Sequence, residues 1–355
     1  MIDTSARGLG GVAATEDFVL FSDRGLNDTI DEWKCVSAVT GKEIWTHSYA
    51  CKGNFDYGNS PRATPLIVGD LVYVFGAFGH LACLKLKSGE SVWELNLREE
   101  YEPTNDPKWG ACSSPLMADG KLIVNPGATS ASLVALDPKT GKELWKTSGK
   151  AAGYGSLIVG TFGGVRQIVG HDAESLGGWD LSTGKRMWTV KPPTAHDFNV
   201  PTPIDFGGQL LVTTENNGTR LFRFQADGMI DSKPVATDKK LSPDTHTPVV
   251  VGNRLFGVWR RLYCLDAGKS FKRIWESDDA AFTKYTALVA TEARVLAMTL
   301  DAEFILFDAA ADEFKELGRL KVLPGEKGLF SHPAFVGTRV YVRGSSTLSC
   351  FDFGP

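Results

Sequence analysis

The chain has 355 residues, of which 43% are hydrophobic, and its 38 basic and 42 acidic residues give a formal net charge of −4 at pH 7. This composition is ample for a large core, and the lack of any long basic run excludes the electrostatic signature of a nucleic-acid-binding protein. No stretch approaches 18 consecutive apolar residues, so no membrane span is expected, and the first residues, MIDTSARGLGG, do not resemble a signal peptide.

One line of sequence recurs along the chain and ends each time in tryptophan. It reads VSAVTGKEIW at 36–45, ALDPKTGKELW at 135–145 and GWDLSTGKRMW at 178–188. The closing residues are Trp45, Trp93, Trp145, Trp188 and Trp275, at steps of 48, 52, 43 and 87. Because the last step is about twice the others, a degenerate copy is expected between Trp188 and Trp275. A period in the forties with four short strands per copy predicts β-propeller blades.

The repeated line has a physical reading as a tight hairpin followed by an outer strand. In the copies with Asp137 and Gly141 and with Asp180 and Gly184, the Asp side chain can bond the turn backbone while Gly supplies a positive φ. The tryptophan then stands on the outer strand, where a large flat side chain can fill the seam between neighbouring blades. These tryptophans are therefore predicted to be structural.

First strands can be counted from the hydrophobic runs that precede each turn. They are expected to start near Gly11, Thr64, Ser114, Gly155, Thr202, Thr247, Thr286 and His332. The prediction is one all-β domain over residues 1–355, an eight-bladed β-propeller of four-stranded antiparallel blades, with seven blades as the alternative. The eighth copy runs out after its third strand, so its outer strand is expected from the residues before Gly11.

The six cysteines show neither a CxxC pair nor zinc-ligand spacing. Four of them occupy one repeat position, and we expect them to be small buried core residues: Cys35, Cys83, Cys264 and Cys350. Cys51 and Cys112 fall outside the pattern, and the sequence predicts no role for them.

The repeated lines, with CLDAGKSFKRIW at 264–275 as an imperfect copy, resemble the tryptophan-docking motif of the quinoprotein-like eight-bladed β-propellers. The resemblance is closest to exported PQQ-like repeat proteins. It is more distant to the propeller lipoprotein of the outer-membrane β-barrel assembly machinery and to PQQ-dependent alcohol dehydrogenases. It implies a periplasmic or exported address and makes PQQ with calcium possible as a cofactor. The lack of adjacent cysteines and of placeable calcium ligands counts against that cofactor.

The loops that lead into the first strands of a propeller lie on one face, beside the central channel, where side chains from all blades can converge on a ligand. These loops are rich in polar and aromatic residues. The predicted ligand-binding residues at this channel mouth are Tyr57, Arg62, Trp109, Tyr154, His196, Asp197, Asn199, Asp244, His246, Lys284, Tyr285 and His332. Asp244 and His246 face the same way in an extended segment, so they could share a metal with His196 or His332.

Three functions follow from this face. The favoured one is a monomeric binding module for a small polar ligand, a glycan or a protein, because no catalytic motif is present. The alternative is a PQQ-dependent oxidoreductase of the alcohol or sugar dehydrogenase type, with Arg62 and Lys284 holding the anionic quinone and Trp109 stacking on it. A second alternative is a hydrolase or lyase that uses channel-mouth His and Asp residues as acid and base.

Overall fold

The computed structural model describes residues 1–25, 27–103 and 107–354. These residues form an eight-bladed β-propeller of four-stranded antiparallel blades, which confirms the prediction of eight blades over seven. The chain divides into two compact units with four blades each. The first unit comprises Met1–Ala152 and the residues from Leu329 onwards, and the second comprises Gly153–Gly328. The single-domain organisation over residues 1–355 stays a prediction.

The first unit begins with β1 (Ile2–Asp3), which belongs to the last blade. Its next three blades are β2 (Ala13–Ala14), β3 (Phe18–Arg24), β4 (Ile30–Ser37) and β5 (Glu43–Ala50); β6 (Leu66–Val68), β7 (Leu71–Phe75), β8 (His80–Lys85) and β9 (Ser91–Asn96); β10 (Leu116–Ala118), β11 (Lys121–Val124), β12 (Leu133–Leu136) and β13 (Glu143–Thr147). A short helix, α1 (Leu97–Tyr101), follows β9, and the Asn96 side chain accepts from the Arg98 N–H at its start.

The second unit consists of four consecutive blades. They are β14 (Ile158–Phe162), β15 (Val165–His171), β16 (Leu176–Asp180) and β17 (Arg186–Val190); β18 (Ile204–Phe206), β19 (Gln209–Thr214), β20 (Gly218–Phe222) and β21 (Ala236–Asp238); β22 (Val249–Val251), β23 (Arg254–Val258), β24 (Leu262–Asp266) and β25 (Lys272–Ser277); β26 (Thr286–Ala290), β27 (Arg294–Thr299), β28 (Glu303–Asp308) and β29 (Glu316–Lys321). Short 3₁₀ turns lie at Ala267–Lys269 and Ala280–Thr283.

The last blade returns to the first unit with β30 (Ala334–Val336), β31 (Arg339–Arg343) and β32 (Thr347–Asp352). Its outer strand is β1, which pairs Ile2 with Leu348 and Asp3 with Thr347. This confirms that the N-terminal residues complete the eighth blade. In the described part of the chain, no helix is both long and apolar enough to cross a bilayer.

The middle strands of each blade carry the core. The four residues of β12, LVAL, are all buried, and in β7, LVYVF, all but the first residue are. A strand covered on both faces by neighbouring sheets has no solvent side, which explains these continuous apolar runs. Outer strands such as β29 are exposed along their whole length, so the core lies between the blades.

The docking tryptophans fill the seams as predicted. Trp45 Nε1 donates to the Leu86 carbonyl at 2.8 Å, and Trp93 Nε1 donates to the Pro138 carbonyl at 2.9 Å. A Cβ on Gly89 of the next turn would lie 2.6 Å from Trp45, so only glycine allows the indole to approach this closely. The lines that end in Trp45 and Trp93 therefore tie their blades to the next, whereas Trp188 Nε1 donates within its own blade, to the Gln167 side chain at 2.6 Å.

The degenerate copy expected between Trp188 and Trp275 is the blade β18–β21. Its outer strand is only three residues long and carries no tryptophan. A small hairpin before this strand brings Phe224 opposite Ile230, and the Phe224 ring meets the Trp188 ring edge-on at 5.7 Å. Phe224 thus supplies part of the aromatic packing that the motif supplies elsewhere.

The prediction for the repeated cysteines is right for three and wrong for the fourth. Cys35, Cys83 and Cys264 are fully buried, whereas Cys350 is exposed. The reason is that β1 pairs only with Thr347 and Leu348, so the outer strand ends before it reaches Cys350.

Candidate functional site

Two sets of loops share the predicted site face of each blade. In a four-stranded antiparallel sheet, the loop before the first strand and the loop between the second and third strands lie at the same end. The sequence prediction used only the first set. The second set adds charged residues to both units.

In the first unit, an aromatic and cationic surface forms around Tyr57. The Tyr57 ring, 65% exposed, meets the Phe330 ring edge-on at 5.9 Å, and the Arg7 guanidinium lies 5.9 Å from the same Phe330 ring. Lys108 Nζ lies 4.8 Å from the Trp109 ring and 3.2 Å from a carboxylate oxygen of Asp56, the residue before Tyr57. We call Arg7, Tyr57, Lys108, Trp109 and Phe330 the loop-face patch.

Arg62 binds its own loop rather than an external group. Its guanidinium donates to the carbonyls of Ser60, Asp56 and Gly58 and lies over the Phe55 ring at 5.2 Å. Burial lowers the pKa of Arg62, and the backbone carbonyls satisfy its donors. Arg62 therefore fixes the shape of the loop that carries Tyr57.

His332 is exposed, yet the surrounding protein lowers the pKa of its imidazole. The adjacent Ser331 hydroxyl is buried and donates to the Gly10 carbonyl at 2.6 Å, which anchors this loop.

Buried ion pairs lie beneath the loops of the first unit, and sequence inspection missed them. Arg24 pairs with Asp31, and its Nη1 also contacts Cys51 Sγ at 3.0 Å. Asp23 accepts from Lys34 Nζ at 2.9 Å and from Arg343 at 3.2 Å. Burial raises the pKa of the Asp31 carboxyl, and the charge of Arg24 opposes that shift. These charged residues lie at the ends of apolar strands in the sequence, and that position is the pattern that could have identified them.

In the second unit, Asn199 joins two loops. Its side chain is buried, accepts from the Tyr154 N–H at 3.2 Å and donates to the Asp172 carbonyl at 2.9 Å. Asp197 accepts from the Asn216 N–H at 3.0 Å and lies 3.6 Å from Arg220. The polar groups of Asn199 and Asp197 therefore hold the loops in place.

His246 and Asp244 do not form the predicted pair. His246 is buried, its Nε2 accepts from the Val258 N–H at 2.9 Å, and its ring lies edge-on to Tyr285 at 6.4 Å. Asp244 is half-buried and accepts from the Thr245 hydroxyl at 2.9 Å. Burial raises the pKa of Tyr285, which keeps its hydroxyl protonated.

Of the remaining predicted residues of the second unit, Tyr154 is half-buried with its ring 5.8 Å from that of Phe198, and Lys284 and His196 are exposed. Lys284 lies 3.5 Å from Asp301, and both side chains are more than 45% exposed. His196 has a left-handed φ of 56°, and its carbonyl accepts from the Asn216 side chain at 3.1 Å. Within the described ranges, no three or more His, Cys, Asp or Glu side chains are grouped as a metal site.

The second unit also has charged residues that sequence reasoning missed. The carboxyl pKa of Glu215 is raised by burial and by the charges of Asp244 and Asp197. Burial lowers the pKa of His171 to about 3, and the charge of Arg220 adds to this shift. The His171 Nε2 and Arg220 Nε atoms are both buried without a hydrogen-bond partner among the described residues. These groups come from the loops and strand ends between second and third strands.

The residues predicted to hold a quinone do not fit that role in the first unit. Arg62 donates to backbone carbonyls of its own loop. Trp109, which was predicted to stack on the quinone, has Lys108 Nζ 4.8 Å from its ring. We therefore derive no chemical step through PQQ.

Known proteins resemble this chain in sequence and in fold. The family model described as outer membrane protein assembly factor BamB matches residues 32–277. The outer membrane protein assembly factor BamB of Burkholderia pseudomallei (strain K96243) is 26% identical over 265 residues, which cover 70% of this chain and 61% of the relative. The quinohemoprotein alcohol dehydrogenase of Comamonas testosteroni is 27% identical over 152 residues, or 38% of this chain and 20% of the relative. The chain thus spans less than two thirds of the length of these curated relatives.

A solved structure shares the fold. The crystal structure of quinohemoprotein alcohol dehydrogenase from Comamonas testosteroni aligns with a TM-score of 0.66 and 14% identity, covering 98% of this chain and 75% of that one. At this identity, the likeness shows the propeller fold alone.

Proposed function

This chain belongs to the family of the outer membrane protein assembly factor BamB, and from this premise we propose that it is a non-catalytic protein-binding module. The observation that carries the proposal is the loop-face patch of the first unit. Its tyrosine, tryptophan, phenylalanine and arginine are the residue types enriched at the energetic centres of protein interfaces.

The conformation of Tyr57 supports a role in binding a partner rather than in packing the core. Its φ of 68° lies in the left-handed region, which costs a bulky residue roughly 1 kcal/mol or more. Burial of the ring does not offset this cost, because 65% of the residue is exposed. Arg62 and the Phe330 ring hold the loop in this shape. A pre-organised aromatic side chain loses little conformational freedom when a partner covers it.

The polar residues of the predicted site support a binding role in a second way. Asn199, His246 and Asp197 use their side chains to fix backbone groups of the second unit. An acid, base or nucleophile must present its reactive atom to a substrate. His246 Nε2 and the Asn199 amide are instead committed to the fold, which favours a rigid display surface over catalysis.

We propose that a monomer of this chain binds a protein of the outer-membrane assembly process in the periplasm. The support for this partner is that the relatives are named as outer membrane protein assembly factors. The chemistry of the patch adds that the partner surface should offer a carboxylate to Arg7 beside apolar groups for the aromatic rings.

The proposal is tested by site-specific photo-crosslinking in the native host. A photoreactive phenylalanine at position 57 is expected to form one dominant protein adduct, whereas the same group at Leu144, 50% exposed on an outer strand, should not form it. The captured protein is then purified and titrated with the wild-type chain. Equal adducts from both positions, or no binding by the purified partner, would overturn the proposal.

A further inference from the structure

A cationic groove lies in the second unit, beside the loop between β23 and β24. It has a volume of about 410 Å³ and also borders the turn that follows β21. Five of its lining residues are basic: Lys239, Lys240, Arg260, Arg261 and Arg273. Among the described residues that line it, Glu276 alone is acidic. The groove therefore concentrates positive charge on a chain whose net charge is −4.

Three of these cations have no ion-pair partner among the described residues. They are Lys239, Lys240 and Arg260, and all three are exposed. The preceding residue, Asp238, accepts instead from the backbone N–H groups of Lys240 and Leu241, both at 2.8 Å. Its carboxylate therefore fixes the turn, while both lysine ammonium groups are open to solvent. Arg260 has a left-handed φ of 61°, a conformation that is disfavoured for a long side chain and recurs in ligand-binding loops.

The other two cations are held in place by one carboxylate. Glu276 accepts from Arg261 at 2.7 Å through one oxygen and from Arg273 through the other. The Arg273 guanidinium also lies 5.1 Å from the centre of the buried Tyr263 ring, and Arg261 lies 2.9 Å from the exposed Asp278. A guanidinium has five N–H donors, so these contacts orient the two side chains and leave donors for a ligand.

We infer that this groove binds the phosphate group of a phosphate monoester, either of a small soluble molecule or of a lipid head group. Near pH 7 such a group carries a charge of about −1.5 to −2 and three acceptor oxygens. It can therefore accept from arginine and lysine side chains at the same time, whereas a carboxylate offers one charge and two oxygens. The half-buried Trp259, whose ring lies 5.5 Å from the Arg260 guanidinium, lines the groove and supplies an apolar contact for the organic part of the ester.

This site goes beyond the proposed function, since its ligand is a small anion rather than a protein. Its basic residues come from DKK at 238–240, WRR at 259–261 and Arg273 of β25, which the fold brings to one groove. It shares no residue with the loop-face patch or with the predicted residues of the channel mouth. The two sites can therefore be tested separately.

The test is isothermal titration calorimetry of the full chain with phenyl phosphate, and phenylacetate is the matched probe with a carboxylate. Phenyl phosphate is expected to bind one saturable site at least about tenfold more tightly than phenylacetate, because it meets more of the charged donors. Lys239→Ser combined with Lys240→Ser should weaken phenyl phosphate binding by at least about tenfold. Lys191→Ser combined with Lys233→Ser removes the same charge from exposed residues outside the groove and should leave binding within about twofold of wild type.

A change of the opposite sign separates a binding role from a structural one. Glu276→Gln keeps the shape of the side chain and removes the carboxylate that competes for Arg261 and Arg273. It should tighten phenyl phosphate binding by about threefold or more, since the charges of both guanidinium groups become available to the ligand. A Glu276→Gln protein that unfolds like wild type but binds phenyl phosphate no more tightly would overturn the inference.

Vesicles distinguish the two sources of the phosphate. Phosphatidylcholine vesicles that contain phosphatidic acid present a monoester, and those that contain phosphatidylserine present a diester and a carboxylate. Co-sedimentation with the phosphatidic acid vesicles that phenyl phosphate displaces would assign the lipid source, and its absence alongside phenyl phosphate binding would assign a soluble ester. Equal sedimentation with both kinds of vesicle, or equal binding of phenyl phosphate and phenylacetate, would overturn the inference. Tyr57→Ala should bind phenyl phosphate like wild type, so failure of this site is distinguishable from failure of the loop-face patch.

Discussion

The two units bury charge beneath their loops in different ways. In the first unit, Arg24 and Asp31 are both fully buried and form an ion pair. In the second, Arg220 lies 3.6 Å from Asp197, and the neighbouring His171 is held neutral by a lowered pKa. A buried pair is costly to break because one charge is left alone, whereas a buried neutral imidazole is costly to protonate. Breaking the ion pair should therefore destabilise the first unit, and protonation of His171 should destabilise the second.

The largest effect should come from breaking the ion pair of the first unit. Asp31→Ala leaves the Arg24 guanidinium buried beside Cys51 and should lower the free energy of unfolding by about 3–5 kcal/mol. Urea denaturation followed by tryptophan fluorescence measures this loss. Asp28→Asn is the control, because Asp28 also bonds Arg24 but its side chain is 60% exposed, and this change should cost less than about 1 kcal/mol. Similar losses for both variants would contradict the comparison.

Acid should act on the second unit through His171. Its folded-state pKa of about 3 lies below the ordinary value of 6.5, so the unfolded chain takes up the proton first. Well above pH 6.5 neither state is protonated at His171, so the free energy of unfolding does not depend on this proton. The free energy of unfolding then falls as the pH drops from 6.5 towards 3. Between pH 6.5 and pH 5, wild type should lose about 2 kcal/mol more than His171→Asn. Parallel pH profiles of the two proteins would show that His171 is not the sensor.

Much of the fold could be predicted from sequence because the turns and docking residues of a blade are specified by short sequence patterns. The turn of Asp137 and Gly141 and the spacing of the tryptophans report contacts made within one or two blades. The short β1 strand left Cys350 exposed, and no local pattern distinguishes it from the buried Cys83.

The site was harder to predict because its residues depend on which loops share a face. Sequence reasoning placed Tyr57, Asn199 and His246 in one set of ligand-binding residues, and the structure shows that Asn199 and His246 bond backbone groups while Tyr57 is exposed. Whether a polar side chain faces a ligand or its own loop depends on distances of a few ångströms, which spacing along the chain does not encode. Whether the twelve predicted residues bind a ligand stays a prediction.

A smaller effect is expected from the longer ion pair of the second unit. Arg220→Met removes a guanidinium that donates to the Thr214 hydroxyl at 2.7 Å and lies near Asp197. Asp197 still accepts a hydrogen bond from the Asn216 N–H in this variant. We therefore expect the free energy of unfolding in denaturant to fall by about 1–2 kcal/mol. A loss as large as that of Asp31→Ala would mean that the two units bury their charges in the same way.

The most direct test of the central claim is the affinity of Tyr57 variants for the partner captured by photo-crosslinking. Because Tyr57 is exposed, Tyr57→Ala should change the free energy of unfolding by less than about 0.5 kcal/mol and weaken partner binding by at least about tenfold. Tyr57→Phe should keep most of the affinity, since the ring remains. Unchanged affinity in a stable Tyr57→Ala protein would contradict the claim that the loop-face patch binds a partner protein.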